Sequence, residues 1–327
     1  MNYVDADLLC YSPGLFVFSD PGGAKPILAF IYLKKISSTS IVYTDREYDF
    51  FNDYPGIKII KYTNQNIEEL IETHSPSFVF TGTSYTSKIE LLFLLAAKKK
   101  KIKTLSYIDH YSNHIERFQL EDKIILPNTI CFPNLKIAEV SKNTFNDIEK
   151  IIFPNYHHIF LERWKPKLSK TQFRSKFGID CRKKILLFAP DPISNIGGVK
   201  KYGIDEVSTW NLLIKKLELL DKNNFIVIIK LHPNQNLSYF ISNALKSETV
   251  QTFYSNELDT NTLIYFSDII IGIFSNLLVE SIVMKKTVIR SLINFTGVDP
   301  FINDNIGYCL YRDVDFDHVL NKTMQNV

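Results

Sequence analysis

Short apolar runs alternate with stretches of helical spacing along most of this chain; the alternation halts near Pro154 and restarts at Lys184. Such alternation specifies parallel strands joined by crossover helices, which narrows the fold to the α/β class. The spacing predicts strands over 15–19, 40–43, 57–62, 78–81, 103–108 and 123–126, with helices over 25–35, 67–74 and 87–100. Pro154, Pro166 and the scarcity of periodic positions mark 154–170 as a linker. Beyond it, strands are expected over 184–189, 224–231, 249–253, 269–273 and 287–290, and helices over 209–221, 237–247, 260–266 and 276–284. A chain of 327 residues exceeds what one core usually organises. The expectation is therefore an α/β protein of two Rossmann-like domains, 1–163 and 164–327, facing a central cleft.

Composition removes several function classes. With 45% apolar and 22% charged residues the chain is neither disordered nor fibrous. A net charge of +3 is too mild for a nucleic-acid binder, which needs a concentrated basic face. Cys10, Cys131, Cys181 and Cys309 lie far apart without CxxC or zinc spacing, so neither structural zinc nor a disulfide framework is expected. The N-terminal residues lack the basic and apolar regions of a signal peptide, and no apolar run approaches ~18 residues. A reducing, cytoplasmic location follows as the expectation. The lysines at 98–101 with Lys103 suit a helix C-terminus by complementing its dipole; the sharper alternative is peripheral contact with the inner face of a membrane.

In open α/β sheets ligands bind beyond the carboxyl ends of the strands, and that rule selects five places. Ser19-Asp20-Pro21-Gly22-Gly23-Ala24 stands between a strand and a helix, where Gly22 and Gly23 permit close backbone approach and the helix N-terminus favours an anion or a sugar hydroxyl. Its spacing is neither GxGxxG nor Walker A, and a plain tight turn with a helix cap competes evenly. Thr81-Gly82-Thr83-Ser84, with Glu90 further on, either caps a helix or lines a sugar site, and capping is favoured. Asp109-His110-Tyr111-Ser112-Asn113-His114, followed by Glu116 and Arg117, crowds polar and charged groups behind one strand, an arrangement costly to place in a core. There Asp109 could act as a general base and Arg117 could fix an anion; a purely structural reading pairs the two. His110 and His114 at i,i+4 have metal-pair spacing but no further ligand nearby, so no metal is expected.

In the second half, Pro233 holds His232 in extended geometry at a strand end, where an imidazole can hydrogen-bond or protonate a departing phosphate. A structural His-Pro pair is the bland counterpart. Ser275 and Asn276 open a helix after Gly272-Ile273-Phe274, so the serine and the free amides form a phosphate cradle. Glu280 stands in that otherwise apolar helix, where it could accept the hydroxyls of a ribose or merely be solvated.

Together, DHYSNHIERF (109–118), KLHPNQ (230–235) and IIGIFSNLLVES (270–281) resemble metal-independent GT-B glycosyltransferases of bacterial surface polysaccharides. They are most similar to the HP-motif nonulosonate transferases, which act on sialic, pseudaminic or legionaminic acid. The resemblance implies that Asp109 is the acceptor base, that His232 with Pro233 assists a CMP phosphate, that Ser275 with Asn276 binds it, and that Glu280 holds the ribose. Asp20, Gly22, Gly23, Thr83, Ser84, His110, Asn113 and Arg117 fall to the acceptor or sugar. Two departures stand out: Ser275 is followed by Asn276 instead of a second hydroxyl, and Asp109-His110 replaces a carboxylate-pair-glycine motif.

The function so implied is inverting transfer of a nonulosonic acid from a CMP-linked donor to a capsule or lipopolysaccharide glycan or glycolipid, without cofactor or metal. A UDP-sugar transferase, a nucleotide-sugar 2-epimerase or a polyol-phosphate transferase would use the same scaffold. A two-lobed sugar- or nucleotide-binding protein is the non-catalytic alternative.

Overall fold

A computed structural model describes residues 12–84, 86–109, 114–141, 143–219, 225–232, 235–254, 258–301, 304–316 and 318–319. The chain divides into two compact units, Met1–Phe160 and Leu161–Val327, a boundary at 160/161 where 163/164 was expected.

The first unit contains β1 (Gly14–Val17), β2 (Ser40–Thr44), β3 (Ile59–Lys61), β4 (Phe78–Thr81), β5 (Lys103–Tyr107), a small hairpin of β6 (Gln119–Leu120) and β7 (Lys123–Ile124), then β8 (Thr129–Phe132) and β9 (Glu149–Ile152). Seven of these make one parallel sheet in the order β3-β2-β1-β4-β5-β8-β9. The second unit contains β10 (Lys184–Phe188), β11 (Phe225–Ile229), β12 (Gln251–Tyr254), β13 (Ile269–Gly272), β14 (Thr287–Ser291) and β15 (Tyr308–Leu310). Its parallel sheet runs β12-β11-β10-β13-β14-β15. Both units thus repeat the doubly wound order in which the first strand lies beside the fourth and the connections diverge on either side of that pair.

Period-two alternation explains why these strands read as continuous apolar runs. Leu186 and Phe188 pack with Trp210, Val227 and Ile271 on one face, while Ile185 and Leu187 pack with Phe173, Ile228 and Ile270 on the other. Helices cover both faces, so every position is apolar.

Three expectations change. The segment 123–126 is not a sheet strand: β7 turns back antiparallel on β6, and β8, begun just after Pro127, takes its place beside β5. β9 and β15 lie where no strand was expected. The segment 154–170 is not a bare linker either. It carries the helix Tyr156–Leu161, held to the first unit by Tyr156 against Phe30 (ring centroids 5.0 Å) and Phe160 against Tyr54 (4.9 Å).

Candidate functional site

In the first unit the loops after β1, β4 and β5 meet at the point where strand order reverses. Asp20, three residues past β1, accepts from the Ser84 hydroxyl (2.7 Å), the Thr86 hydroxyl (3.2 Å) and Arg46 Nη1 (2.9 Å); Arg46 also donates to Thr86. Asp109, two residues past β5, accepts from Arg117 Nη1 at 2.9 Å, and the same nitrogen donates to the Thr83 carbonyl at 2.8 Å. Arg117, expected to fix an anion, therefore spends Nη1 on the protein itself, and Thr83 spends its hydroxyl on the Tyr107 carbonyl at 2.9 Å.

The glycines of SDPGGA have a steric reason. A Cβ on Gly22 would stand 1.7 Å from Asp109 Oδ2, and one on Gly23 would stand 2.8 Å from the Gly82 Cα. The turn after β1 can pass under Asp109 and against the end of β4 only without side chains.

Beneath this turn lies Glu90, which is 2% exposed. Its Oε1 accepts from the Ser19 amide at 2.9 Å, whereas Oε2 and the buried Ser19 hydroxyl have no hydrogen-bond partner. Burial, opposed in part by backbone hydrogen bonds, pushes the Glu90 carboxyl up to about 8. The group is a neutral acid at physiological pH.

In the second unit the loops after β10, β11 and β13 are tied together. Asp191 Oδ2 accepts from the Phe274 amide at 2.7 Å, and the Asp191 carbonyl accepts from Gln235 Nε2 at 3.1 Å. Gln235 Oε1 in turn accepts from the His232 amide at 2.5 Å. Ser275 caps the helix Asn276–Val283, its hydroxyl accepting from the Leu277 amide at 3.3 Å. Asn276 is exposed at the first turn and Glu280 is buried within the helix. Burial pushes the Asp191 carboxyl up to about 6 against the pull of the Phe274 and Ser275 amides. The His232 ring touches solvent, yet the surrounding protein lowers its pKa, so it is a neutral imidazole at pH 7.

Behind the serine turn, Arg290 is 1% exposed. It donates through Nε to the Ile273 carbonyl (3.0 Å) and pairs with Asp299, its guanidinium lying 5.8 Å from the Phe274 ring and 5.2 Å from the Phe301 ring. The turn that carries Ser275 is thereby held from below by Arg290 and from the side by Asp191.

His110, Asn113 and Pro233 lie outside the described residues. His114 is buried, its ring 6.4 Å from Phe145. Among the described residues no group of three or more His, Cys, Asp or Glu side chains could hold a metal ion. Sequence reasoning missed Arg46, Thr86, Asp191 and Arg290, and gave no role to Gln235, which closes the KLHPNQ segment. Asp191 was within reach of the strand-end rule, since it follows β10 as Asp20 follows β1. Arg290 carried a weaker signal, a lone charge closing an apolar strand.

No protein-family model and no curated protein matches the chain. Solved structures do match, over nearly its whole length. A putative UDP-N-acetylglucosamine 2-epimerase from Listeria monocytogenes aligns with TM-score 0.67 at 11% identity, covering 96% of this chain and 88% of that one. HepE from Anabaena, in complex with UDP-glucose, aligns with TM-score 0.61 at 12% identity over 95% and 90%. The wall teichoic acid polymerase TagF H548A aligns with TM-score 0.57 at 13% identity over 96% and 81%. At such identities the likeness establishes the fold: two Rossmann-like α/β domains of the GT-B type.

Proposed function

We propose that this chain is a nucleotide-sugar enzyme that binds a UDP-sugar through its second unit and changes the bonding at the sugar's C1. The observation that carries the reading is the hydrogen-bonded chain His232–Gln235–Asp191–Phe274, which ties three strand-end loops together beside the Ser275 helix start. A cradle assembled before ligand arrives loses little entropy on binding, and amides at a helix start suit phosphate oxygens. Uridine replaces the cytidine inferred from motifs because the similar structures named above include a UDP-glucose complex and a putative UDP-sugar epimerase.

Epimerisation at C2 is the leading reaction. It shares its first demand with transfer: the bond from C1 to the diphosphate oxygen breaks, the electron pair leaves with the phosphate, and donors must meet that growing charge. The Ser275 hydroxyl, the Asn276 amide at the helix start and neutral His232 are those donors. The reactions diverge afterwards: in epimerisation a base takes the C2 proton to leave a C1–C2 double bond, a proton is returned to C2 on the opposite face and the diphosphate oxygen re-forms its bond to C1, while in transfer an acceptor hydroxyl attacks C1 and gives its proton to a base. Transfer to a surface glycan, with Asp109 as base, is the second reading, supported by the likeness to TagF and by the partly exposed Asp109 carboxylate just past β5.

The test incubates the full chain with UDP-N-acetylglucosamine, with and without a glycan acceptor, and follows anomeric proton signals and free UDP. The expected result is an isomerised nucleotide sugar without acceptor. Free UDP that appears only with acceptor would favour transfer. A chain whose melting temperature no uridine or cytidine nucleotide sugar raises would overturn the proposal.

A further inference from the structure

At the amino-terminal edge of the first sheet, opposite the strand ends that carry Asp20 and Asp109, lies an open depression of about 540 Å³. It is lined by Lys98, Lys101, Ile102, Lys103 and Asn128. The helix Ile89–Lys99 delivers Lys98, the turn after it delivers Lys101 and Ile102, and β5 begins with Lys103. The lysine run does not act as a single solvated face. Lys99 and Lys100 turn to Glu68 and Glu72 on the neighbouring helix, and Lys98 is anchored to the Leu126 carbonyl at 2.9 Å. Lys101 and Lys103 have no ion pair among the described residues. The carboxylate of Glu149, at the start of β9, takes the Thr129 hydroxyl at 2.5 Å.

Asn128 supplies the specific element. Its Oδ1 accepts from both the Thr104 amide (2.9 Å) and the Thr104 hydroxyl (2.8 Å), which fixes the side-chain amide. Nδ2, a donor, is the atom left to offer. The polar side chains of the depression are therefore donors: three ammonium groups and one oriented amide. Such a set recognises a multiply charged oxyanion, and the dipole of the adjoining helix C-terminus is already offset by Lys98 and Lys99.

We propose that this depression is a phosphate-binding site, separate from the nucleotide-sugar cradle, that takes a phosphate group borne either on a lipid headgroup or on a soluble ester. At an anionic membrane each lysine near the surface contributes about 1 kcal/mol, so three together correspond to about a 10²-fold gain in partitioning that fades with salt.

The experiment uses the full chain with two probes. One is vesicles of phosphatidylcholine with or without phosphatidylglycerol, read by co-sedimentation; the other is glycerol 3-phosphate, read by calorimetry. Two variants are compared with wild type. Lys98→Ala/Lys101→Ala/Lys103→Ala empties the depression of charge, and Lys58→Ala/Lys176→Ala/Lys285→Ala removes the same charge from exposed positions elsewhere. A third, Asn128→Asp, keeps the acceptor for Thr104 but turns the donor into a repelling carboxylate. The expected result is a loss of binding on the order of 10²-fold in the first variant and a clear loss in Asn128→Asp, with the control near wild type. Loss confined to vesicles identifies a lipid headgroup, and loss with glycerol 3-phosphate identifies a soluble ester. Equal losses in the two triple variants, no effect of Asn128→Asp, or no binding of either probe by wild type would each overturn the proposal.

Discussion

Glu90→Gln should make the first unit more stable, and the gain should grow with pH. In the folded chain burial holds the Glu90 carboxyl at about 8 against an ordinary 4.5. Between those values the folded state keeps a proton that the unfolded chain has released, so wild-type stability falls as pH rises through that window and is level on either side. The ceiling is the whole shift at 1.36 kcal/mol per unit, about 5 kcal/mol; relaxation around a charged Glu90 reduces it to roughly 2–4 kcal/mol. Glutamine is isosteric, keeps an acceptor for the Ser19 amide, and removes the titration. Both tryptophans, Trp164 and Trp210, lie in the second unit, so their fluorescence does not follow this change. Urea unfolding read by far-UV circular dichroism, with hydrogen exchange on peptides spanning β1 and β4, should be run at about pH 5 and about pH 9 on both proteins. Taking the variant-minus-wild-type difference cancels the other titrating groups. An advantage at the higher pH no larger than at the lower would refute the reasoning, because Glu90 would then titrate alike in both states.

Other outcomes follow from the same geometry. Gly23→Ala, which presses a Cβ to 2.8 Å from the Gly82 Cα, should destabilise the first unit by about 1–3 kcal/mol in the same unfolding experiment. Gly22→Ala should displace the Asp109 carboxylate and, where the reaction is transfer with Asp109 as base, lower turnover more than nucleotide affinity, read as kcat against Kd. Asp191→Asn and Asp191→Ala both remove the buried charge, but only alanine leaves the Phe274 amide without an acceptor, so Asp191→Ala should be less stable than Asp191→Asn by about 1–3 kcal/mol, which the tryptophans of the second unit report. The phosphates of a UDP-sugar should raise the lowered pKa of His232, so affinity should rise as pH falls from the bound ring's pKa to that of the free ring; in His232→Gln the slope should become shallower, the remainder belonging to Asp191, and an unchanged slope would remove the ring from the cradle.

What could be read from the chain beforehand depended on how local each signal was. The strand Phe78–Thr81 and the helix Ile67–His74 emerge with their own boundaries because their stops are written beside them. Asn66 caps the helix start with two amide bonds, and Ser75 ends it in the left-handed region. By contrast β8 and β9 are four-residue strands whose assignment depends on docking in succession beyond β5. The run at 123–126 is as rich in apolar residues as β8, three in four, yet Pro127 closes it and only its first two residues form β7, in a hairpin outside the sheet. The segment after Pro154 looked like a linker because its aromatics have no period; they pack on Phe30 and Tyr54, distant in sequence.

The sites follow the same division. Each sheet brings its first and fourth strands together, and in each a glycine just at or after the fourth strand lets the loop from the first pass over it: Gly82 against Gly23, Gly272 with a would-be Cβ 2.7 Å from the Ala189 carbonyl. Topology therefore dictates where chemistry gathers, and a strand-end rule applied to the sequence finds Asp20, Thr83, Asp109, His232 and Ser275 without knowing what joins them. The joining residues are another matter. Arg46 reaches Asp20 from the loop after β2, Asp191 reaches the Phe274 amide across 83 residues of chain, and Arg290 reaches Ile273 from a neighbouring strand. None of these has a motif, because each acts by holding a turn that another residue advertises. A charge that closes an apolar strand, as Arg290 does, is the trace such a residue leaves in sequence: burying it is costly enough that a partner such as Asp299 must exist somewhere in the fold.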